Sequence, residues 1–333
     1  MSPGPKISVV MPTFNCAPRM ARHLEAMAKW SDLAHEIIVV DSRSSDGTLE
    51  LIQAKLRHPR LRIIVRDRGL YESWNEGIAA TTGDWIYIST AGDTIEREHL
   101  VHLRDLGERA EADVVISAPS FVDEAGAPCT DPGWPPGKII AASGEDGPFM
   151  LNARAAFLQA FMHFPCAILG SSASNLYRGD HLRPRPFPAD FKGAGDSVWI
   201  LHHAARSRVC FTPAIGSTFC IHAKADDTDI QGRLRLLAKL SEERTQTLAR
   251  LGLNCEPARL LIEHHQLADE VQAVNRGRRQ LWHKTPRTGS NFLAWTSLTM
   301  TYLRKRAAVK ASRRRIQRLL MGREGVIPVA DRG

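Results

Sequence analysis

Three short apolar runs near the start of the chain each lead into a carboxylate. Ile37-Ile38-Val39-Val40 ends in Asp41, and Ile63-Ile64-Val65-Arg66 ends in Asp67. Trp85-Ile86-Tyr87-Ile88 passes through Ser89-Thr90-Ala91-Gly92 to Asp93. Runs of this length, separated by stretches of helical period, read as buried parallel strands. In open α/β sheets the ligand sits outside the carboxyl ends of such strands. Three carboxylates along that edge suit a divalent metal and a phosphorylated ligand. One strand-end aspartate alone would read as a turn or cap residue. Three on successive strand ends, with Gly69 and Gly92 beside two of them, favour a site.

The pattern continues on both sides of these runs. A first strand over Ile7–Met11 closes in Pro12-Thr13-Phe14-Asn15. Pro18 suits the first turn of a helix that runs to about Trp30. Ser45 or Asp46 can cap a second helix reaching Leu56. Further helices are expected over Tyr71–Thr82 and Glu96–Ala112, and a fifth strand over Asp113–Ala118. Strands and helices in this alternation predict a doubly wound, largely parallel sheet. Gly126–Pro148 is rich in Gly and Pro and reads as a loop or hairpin connection. A helix over Ala153–Met162, a strand over Ser171–Arg178 and a helix over Asp196–Arg206 follow. Short strands are expected at Val209–Phe211 and Ser217–Ile221. From Gly232 onward the pattern is helical and polar, which suggests a boundary near residue 225.

Composition limits the classes. The chain has 333 residues, 43% hydrophobic and 24% charged, as a soluble globular protein has. Its net charge of +8 equals the excess between Thr299 and Gly333, where ten Lys or Arg meet two acidic residues. The six cysteines form no Cys-x-x-Cys pair, so neither a zinc site nor a disulfide framework is expected, and a reducing cytosol is. The chain runs almost directly into a strand, so no signal peptide is expected. No apolar stretch reaches the ~18 residues of a membrane span. Gly-x-Gly-x-x-Gly does not follow the first strand, and no Gly-x-x-x-x-Gly-Lys-Ser/Thr occurs. That argues against a dinucleotide fold and a phosphate-loop enzyme.

The order and spacing of these pieces resemble a known family. Ile7-Ser8-Val9-Val10-Met11 with Pro12-Thr13-Phe14-Asn15 is similar to the opening of family 2 glycosyltransferases with the GT-A fold. So is Val39-Val40-Asp41-Ser42-x-Ser44-x-Asp46-Gly47-Thr48. Asp67-Arg68-Gly69-Leu70-Tyr71-x-x-x-Asn75-x-Gly77 and Gly83-Asp84-x-Ile86 extend the likeness. Ala91-Gly92-Asp93 stands at the metal-binding Asp-x-Asp motif. The resemblance covers residues 6 to 120 well and continues weakly to about 222. It implies an α/β, GT-A-type Rossmann-like sandwich with a mostly parallel central sheet over 1–225, and a helical, basic extension over 226–333. Two positions depart from the pattern: Ala91 replaces an earlier aspartate, and Ser42 replaces a second aspartate near the base.

The resemblance implies roles residue by residue. Pro12, Thr13, Asn15, Asp41, Ser42, Asp67, Arg68, Asn75 and Gly92 would hold a nucleotide sugar. Asn75 would position either a pyrophosphate or a backbone loop. Asp93 would hold Mn²⁺ or Mg²⁺ essentially alone, with His222 as a further metal candidate. Asp196, after Gly193-Ala194-Gly195, would be the catalytic base of an inverting transfer; its position also suits a helix cap. Trp74 and the His202-His203 pair read as packing residues. Gly170–Arg178 reads either as a segment under the sugars or as an ordinary strand with a polar face.

The implied function is transfer of a sugar from a nucleotide-diphosphate sugar, with UDP the expected nucleotide, to a glycan or lipid-linked acceptor, as in bacterial polysaccharide biosynthesis. The rivals are a non-catalytic scaffold of the same fold, which Ala91 keeps open, and a sugar nucleotidyltransferase. The latter would carry a Gly-rich basic loop where Pro12-Thr13-Phe14-Asn15 stands. Residues 300–321 mix Leu303, Ala307, Ile316, Leu319 and Leu320 with many cations. Such a helix can lie on an anionic inner leaflet, bind a partner or simply be solvated, and nucleic acid is the least expected partner. The implied location is the cytoplasm, including the inner face of the plasma membrane.

Overall fold

The computed structural model describes residues 4–221, 230–250, 256–284, 289–320 and 325–330. The apolar runs form strands wherever β-branched residues dominate. The elements are β1 (Ile7–Thr13), α1 (Ala17–Met27), β2 (Ala34–Asp41), α2 (Thr48–Lys55), β3 (Leu61–Val65), α3 (Leu70–Ala79), β4 (Trp85–Ile88), β5 (Thr94–Ile95), α4 (Arg97–Arg109), β6 (Val114–Ser117) and β7 (Ser120–Val122). They continue with α5 (Pro135–Ser143), β8 (Phe149–Leu151), α6 (Ala153–His163), β9 (Asn175–Arg178), α7 (Gly179–Leu182), α8 (Gly195–His203), β10 (Val209–Thr212) and β11 (Ser217–Cys220). The last are α9 (Ile230–Arg250), α10 (Glu256–Lys284), α11 (Gly289–Leu320) and β12 (Val326–Pro328).

Nine strands form one sheet in the order β12-β8-β10-β6-β9-β4-β1-β2-β3. Strands β4, β1, β2 and β3 run parallel, as do β6 and β10. Strand β9 lies antiparallel between β4 and β6. A small second sheet has the order β5-β11-β7. The core beneath β1, β2 and β4 is filled by Met20, Leu24 and Met27 of α1 and by Leu100, Leu103 and Leu106 of α4. Helix α3 crosses the sheet closely because residue 77 is Gly. A Cβ there would lie 2.4 Å from Val10 Cγ1.

Several local expectations change. The Gly126–Pro148 stretch is not wholly loop, because it contains α5. Pro135 and Pro136 occupy the first turn, where a missing N–H costs nothing, and Gly144 at φ +73° closes the helix. Ser171–Arg178 is strand only from Asn175. Ser172–Ser174 is a 3₁₀ turn, whose Ala173 N–H donates to Ser171 Oγ at 3.1 Å. Short hydroxyl side chains of this kind compete with sheet pairing. Neither Ser45 nor Asp46 is the residue before α2; that is Gly47, at φ +88°. Asp46 still accepts the Thr48 N–H at 3.1 Å and its hydroxyl at 2.6 Å. Strands β5, β7, β8 and β12 have only two or three residues each and leave no periodic signal.

By packing, the chain divides into one unit of residues 1–244 with 323–333 and another of 245–322. The first contains both sheets. The described part of the second is the end of α9 with α10 and α11. No described helix is long and apolar enough to cross a membrane.

Candidate active site

The carboxyl edge of the parallel strands is shaped by one buried carboxylate. Asp41 ends β2 in register with Thr13 of β1. Thr13 Oγ1 donates to Asp41 Oδ1 at 2.9 Å. The Ser44 N–H donates to Oδ2 at 2.8 Å, and the Ser44 hydroxyl to Oδ1 at 2.6 Å. Asp41 is fully buried, and its two oxygens order the loops after β1 and β2. Asn15 ties the same loops together. Its N–H donates to Ser44 Oγ at 3.0 Å, and its Oδ1 accepts the Ser45 N–H at 2.9 Å.

Above this edge lies a cavity of about 370 Å³ lined by Pro12, Thr13, Phe14, Cys16, Arg19, Ser42, Arg68, Gly69, Leu70, Ser73, Trp74, Thr90 and Ala91. Its walls come from the ends of β1 and β2, the starts of α1 and α3, and the turn after β4. Two guanidinium groups, Arg19 and Arg68, give it a cationic wall. Arg68 lies over the Phe14 ring at 4.4 Å, a cation–π contact that orients it. Ser73 donates to the Gly69 carbonyl at 2.6 Å, so the 2.9 Å Ser42–Ser73 bond has Ser42 as donor.

Asp93 follows a tight turn at one side of the cavity. The Asp93 N–H donates to the Thr90 carbonyl at 3.1 Å, and Gly92 takes the left-handed φ of +101° that the third turn position demands. The carboxylate accepts the Thr90 hydroxyl at 2.6 Å and the Cys220 N–H at 3.0 Å. It is only 5% exposed. Burial pushes its pKa up to about 6, against the pull of these donors. His23 supports the turn from α1. Its Nδ1 donates to the Asp93 carbonyl at 2.9 Å, and its Nε2 accepts from Ser89 Oγ at 3.0 Å. Burial lowers the His23 pKa to about 4, so the ring is neutral at pH 7 and only this tautomer satisfies both partners.

Asp93 offers oxygen, the ligand type that a hard divalent cation takes, but it is not among the residues lining the cavity. A buried carboxylate with a raised pKa is one that a nearby divalent ion would stabilise in its charged form. Among the described residues no three acidic, His or Cys side chains gather to hold an ion by themselves. Asp93 is the one metal candidate from the sequence that lies among the described residues. His222 lies outside the described residues.

Asp196 sits at the start of α8, after the Gly193-Ala194-Gly195 turn. Tyr71 on α3 donates its hydroxyl to Asp196 Oδ1 at 2.9 Å, and the Ser197 N–H donates to the same oxygen at 2.8 Å. Among the described residues Oδ2 receives no donor. Burial raises the Asp196 pKa, while the Tyr71 hydroxyl and the Ser197 N–H pull it down. Tyr71 is held by stacking on Phe187 at 5.7 Å and by an edge contact with Trp74 at 5.2 Å. Helix α3 thus serves two places: its first turn lines the cavity, and its Tyr71 holds Asp196.

Of the residues singled out in the sequence, Pro12, Thr13, Ser42 and Arg68 line the cavity. Asp41 and Asn15 brace its floor loops, and Gly92 shapes the turn that carries Asp93. Asp67 points elsewhere, in an exposed ion pair with Arg43 at 2.8 Å. Asn75 does not line the cavity. Its amide clasps Phe187, donating to the carbonyl and accepting the N–H, both at 2.8 Å. Sequence reasoning missed His23, Arg19 and the role of Tyr71. The one signal for His23 was a polar residue on the apolar stripe of Met20, Leu24 and Met27.

Comparison with known proteins points the same way. The family model described as "Glycosyl transferase family 2" matches residues 8–171. The succinoglycan biosynthesis protein ExoO of Rhizobium meliloti is 30% identical over 114 residues, 34% of this chain and 32% of that protein. A PGL/p-HBAD biosynthesis glycosyltransferase of Mycobacterium tuberculosis is 30% identical over 119 residues, 34% of this chain and 46% of that protein. The chain thus spans about a third to under half of the length of these curated relatives. Among solved structures, S. aureus TarS 1–349 superposes with a TM-score of 0.57 at 14% identity, covering 95% of this chain and 90% of that one. Its complex with UDP-GlcNAc gives a TM-score of 0.55 at 15% identity, over 95% of this chain and 89% of that one. The strand order, the motifs along the sheet edge and the family match agree: residues 8–171 resemble a family 2 glycosyltransferase domain, on a fold of the GT-A type.

Proposed function

We propose that the protein transfers a sugar from a nucleoside-diphosphate sugar, with UDP the expected nucleotide, to a hydroxyl of a glycan or lipid-linked acceptor, with inversion at the anomeric carbon. The observation that carries this reading is the cavity walled by Arg19 and Arg68 at the carboxyl edge of the parallel strands, beside the buried carboxylate of Asp93. Two cations facing a pocket of this size suit a diphosphate. The UDP-GlcNAc and UDP complexes of TarS, a protein of the same fold, support a uridine nucleotide. The roles named for the relatives, succinoglycan biosynthesis and PGL/p-HBAD biosynthesis, support the acceptor class.

In this reading the cavity walls bind and orient the donor. Asp196 Oδ2, the oxygen left open by Tyr71 and Ser197, takes the proton of the acceptor hydroxyl as that oxygen attacks the anomeric carbon. The bond from that carbon to the diphosphate oxygen breaks on the opposite face, and Arg19 and Arg68 stabilise the charge that leaves. Asp93 would hold Mn²⁺ or Mg²⁺, whose charge offsets that of the diphosphate. The chemistry belongs to residues 1–225. The basic extension, through 300–321, gives peripheral contact with an anionic membrane at the cytoplasmic face.

Calorimetric titration with UDP, GDP, ADP and CMP, with and without Mn²⁺, tests the donor half. Metal-dependent binding of one nucleotide is expected, and binding of none would favour a non-catalytic scaffold. Asp196→Asn is expected to cut transfer by about 10²–10⁴-fold while leaving nucleotide affinity within about twofold. Transfer at the wild-type rate would remove Asp196 as the base.

A further inference from the structure

Helices α10 and α11 pair as an antiparallel hairpin. Trp282 meets Trp295 with ring centroids 4.7 Å apart, Arg278 covers Tyr302 at 4.9 Å, and Lys305 is paired with Glu270. These contacts fix which face of α11 is turned inward. The opposite face is exposed. Phe292, Leu293, Met300 and Leu303 there are 54%, 68%, 54% and 49% exposed. At the helical step of about 100° per residue, Lys310, Arg314 and Arg318 continue the same stripe, and all three are exposed. The helix therefore presents a surface that is apolar over its first half and cationic over its second.

Charge narrows the occupant. Between Val271 and Gly322 the sequence holds thirteen Lys or Arg and no Asp or Glu. A partner must be anionic. It must also accept four large apolar side chains, three of them non-aromatic, spread over about three helical turns. A nucleic-acid backbone meets the first demand only, since Leu293, Met300 and Leu303 find no apolar recess along phosphates. A bilayer with anionic headgroups meets both.

We propose that α11 lies obliquely in the surface of an anionic membrane. Phe292, Leu293, Met300 and Leu303 reach the acyl boundary, and Lys310, Arg314 and Arg318 lie among the headgroups. This deepens the membrane contact proposed above by naming the residues that enter the lipid, and it puts them largely before the basic run. The contact would bring the enzyme to lipid-linked acceptors, so it rests on that reading for its purpose and on the hairpin for its existence.

The test is co-sedimentation of the full-length protein with vesicles of phosphatidylcholine, with and without phosphatidylglycerol. Binding only to the anionic vesicles, weakened by salt, is expected. Phe292→Ser, Leu293→Ser and Met300→Ser together should weaken binding about tenfold, with unchanged circular dichroism. The paired change Phe292→Trp and Leu293→Phe should retain it. Binding of the triple serine variant at wild-type strength would overturn the proposal, because headgroup attraction alone would then suffice. No binding to either vesicle would overturn it too, as would complete displacement from vesicles by RNA that the triple variant binds equally well. UDP titration of the same samples separates the two readings. Intact UDP binding without vesicle binding sinks only this inference. Vesicle binding without any nucleotide binding sinks only the transferase.

Discussion

Asp93, Asp196 and Tyr71 are the residues whose environments can be tested one at a time. Burial holds the Asp93 pKa near 6, above its ordinary value of 3.8, so the fold favours the protonated form. This group's contribution to stability is fully present below about pH 4 and is lost as pH rises through about 6, at a cost of at most about 3 kcal/mol. Asp93→Asn should therefore make the ligand-free protein more stable than wild type at pH 7.5 in thermal melts, while abolishing Mn²⁺-dependent nucleotide binding. Metal-dependent affinity of the wild type should fall as pH drops below about 6, because the ion needs the carboxylate. Tyr71→Phe removes the donor that pulls the Asp196 pKa down. The acid limb of the kcat/KM profile should then move to higher pH, with most activity recovered on the alkaline side. An unshifted limb with uniformly lower activity would mean that Tyr71 merely packs.

At the scale of elements, the site depends on how α3 and α8 approach each other. Gly195 opens α8 directly against α3. A Cβ there would lie 2.4 Å from the Pro188 carbonyl oxygen and 2.6 Å from two atoms of the Tyr71 ring. Gly195→Ala should cost about 1–3 kcal/mol and reduce turnover more than donor affinity, because it pushes Tyr71 and Asp196 apart. Asn75 acts in the same joint. It pairs with both backbone groups of Phe187, whose side chain is 1% exposed. Asn75→Ala leaves that N–H and carbonyl without their partners and should lower stability by about 2–4 kcal/mol in urea titration. The resemblance of Asn75 to a family motif was visible in the sequence, but its partner is 112 residues away. That distance explains why a ligand and a backbone loop were equally consistent with the local pattern.

For the whole molecule, the sheet is completed from far along the chain. Strand β9 enters antiparallel between β4 and β6, and β12 returns from beyond α11 to pair with β8. Val326 is 8% exposed there, the Asn152 N–H donates to the Gly325 carbonyl at 3.1 Å, and the Val329 N–H to that of Pro148 at 2.9 Å. Deleting residues 325–333 should lower the unfolding midpoint and leave β8 as an open edge prone to association. The strands β1 to β4 were legible because each is a short run rich in β-branched or aromatic residues, with a helical pattern later in the chain before the next such run. Of the small sheet β5-β11-β7, β11 was anticipated at Ser217–Ile221, whereas β5 and β7 were not, since two or three residues carry no period.

What the sequence determined by itself is the set of chemical groups and the scaffold that lines them up. Apolar runs that end in Asp41 and near Asp93 must bring those ends to one edge once the strands pair in parallel, and Gly92 must turn where only a left-handed φ fits. Which carboxylate faces what was decided only by tertiary packing. Asp41, Asp67 and Asp93 look alike as strand-end aspartates. Yet the first is fully buried under Thr13 and Ser44, the second stands in solvent with Arg43, and the third is enclosed by Thr90 and Cys220. The same holds for Asp196, whose Oδ1 is held by Tyr71 from a helix 125 residues earlier. Burial and hydrogen-bond partners are set by segments distant in the chain, so charge state and reach belong to the fold rather than to the local sequence.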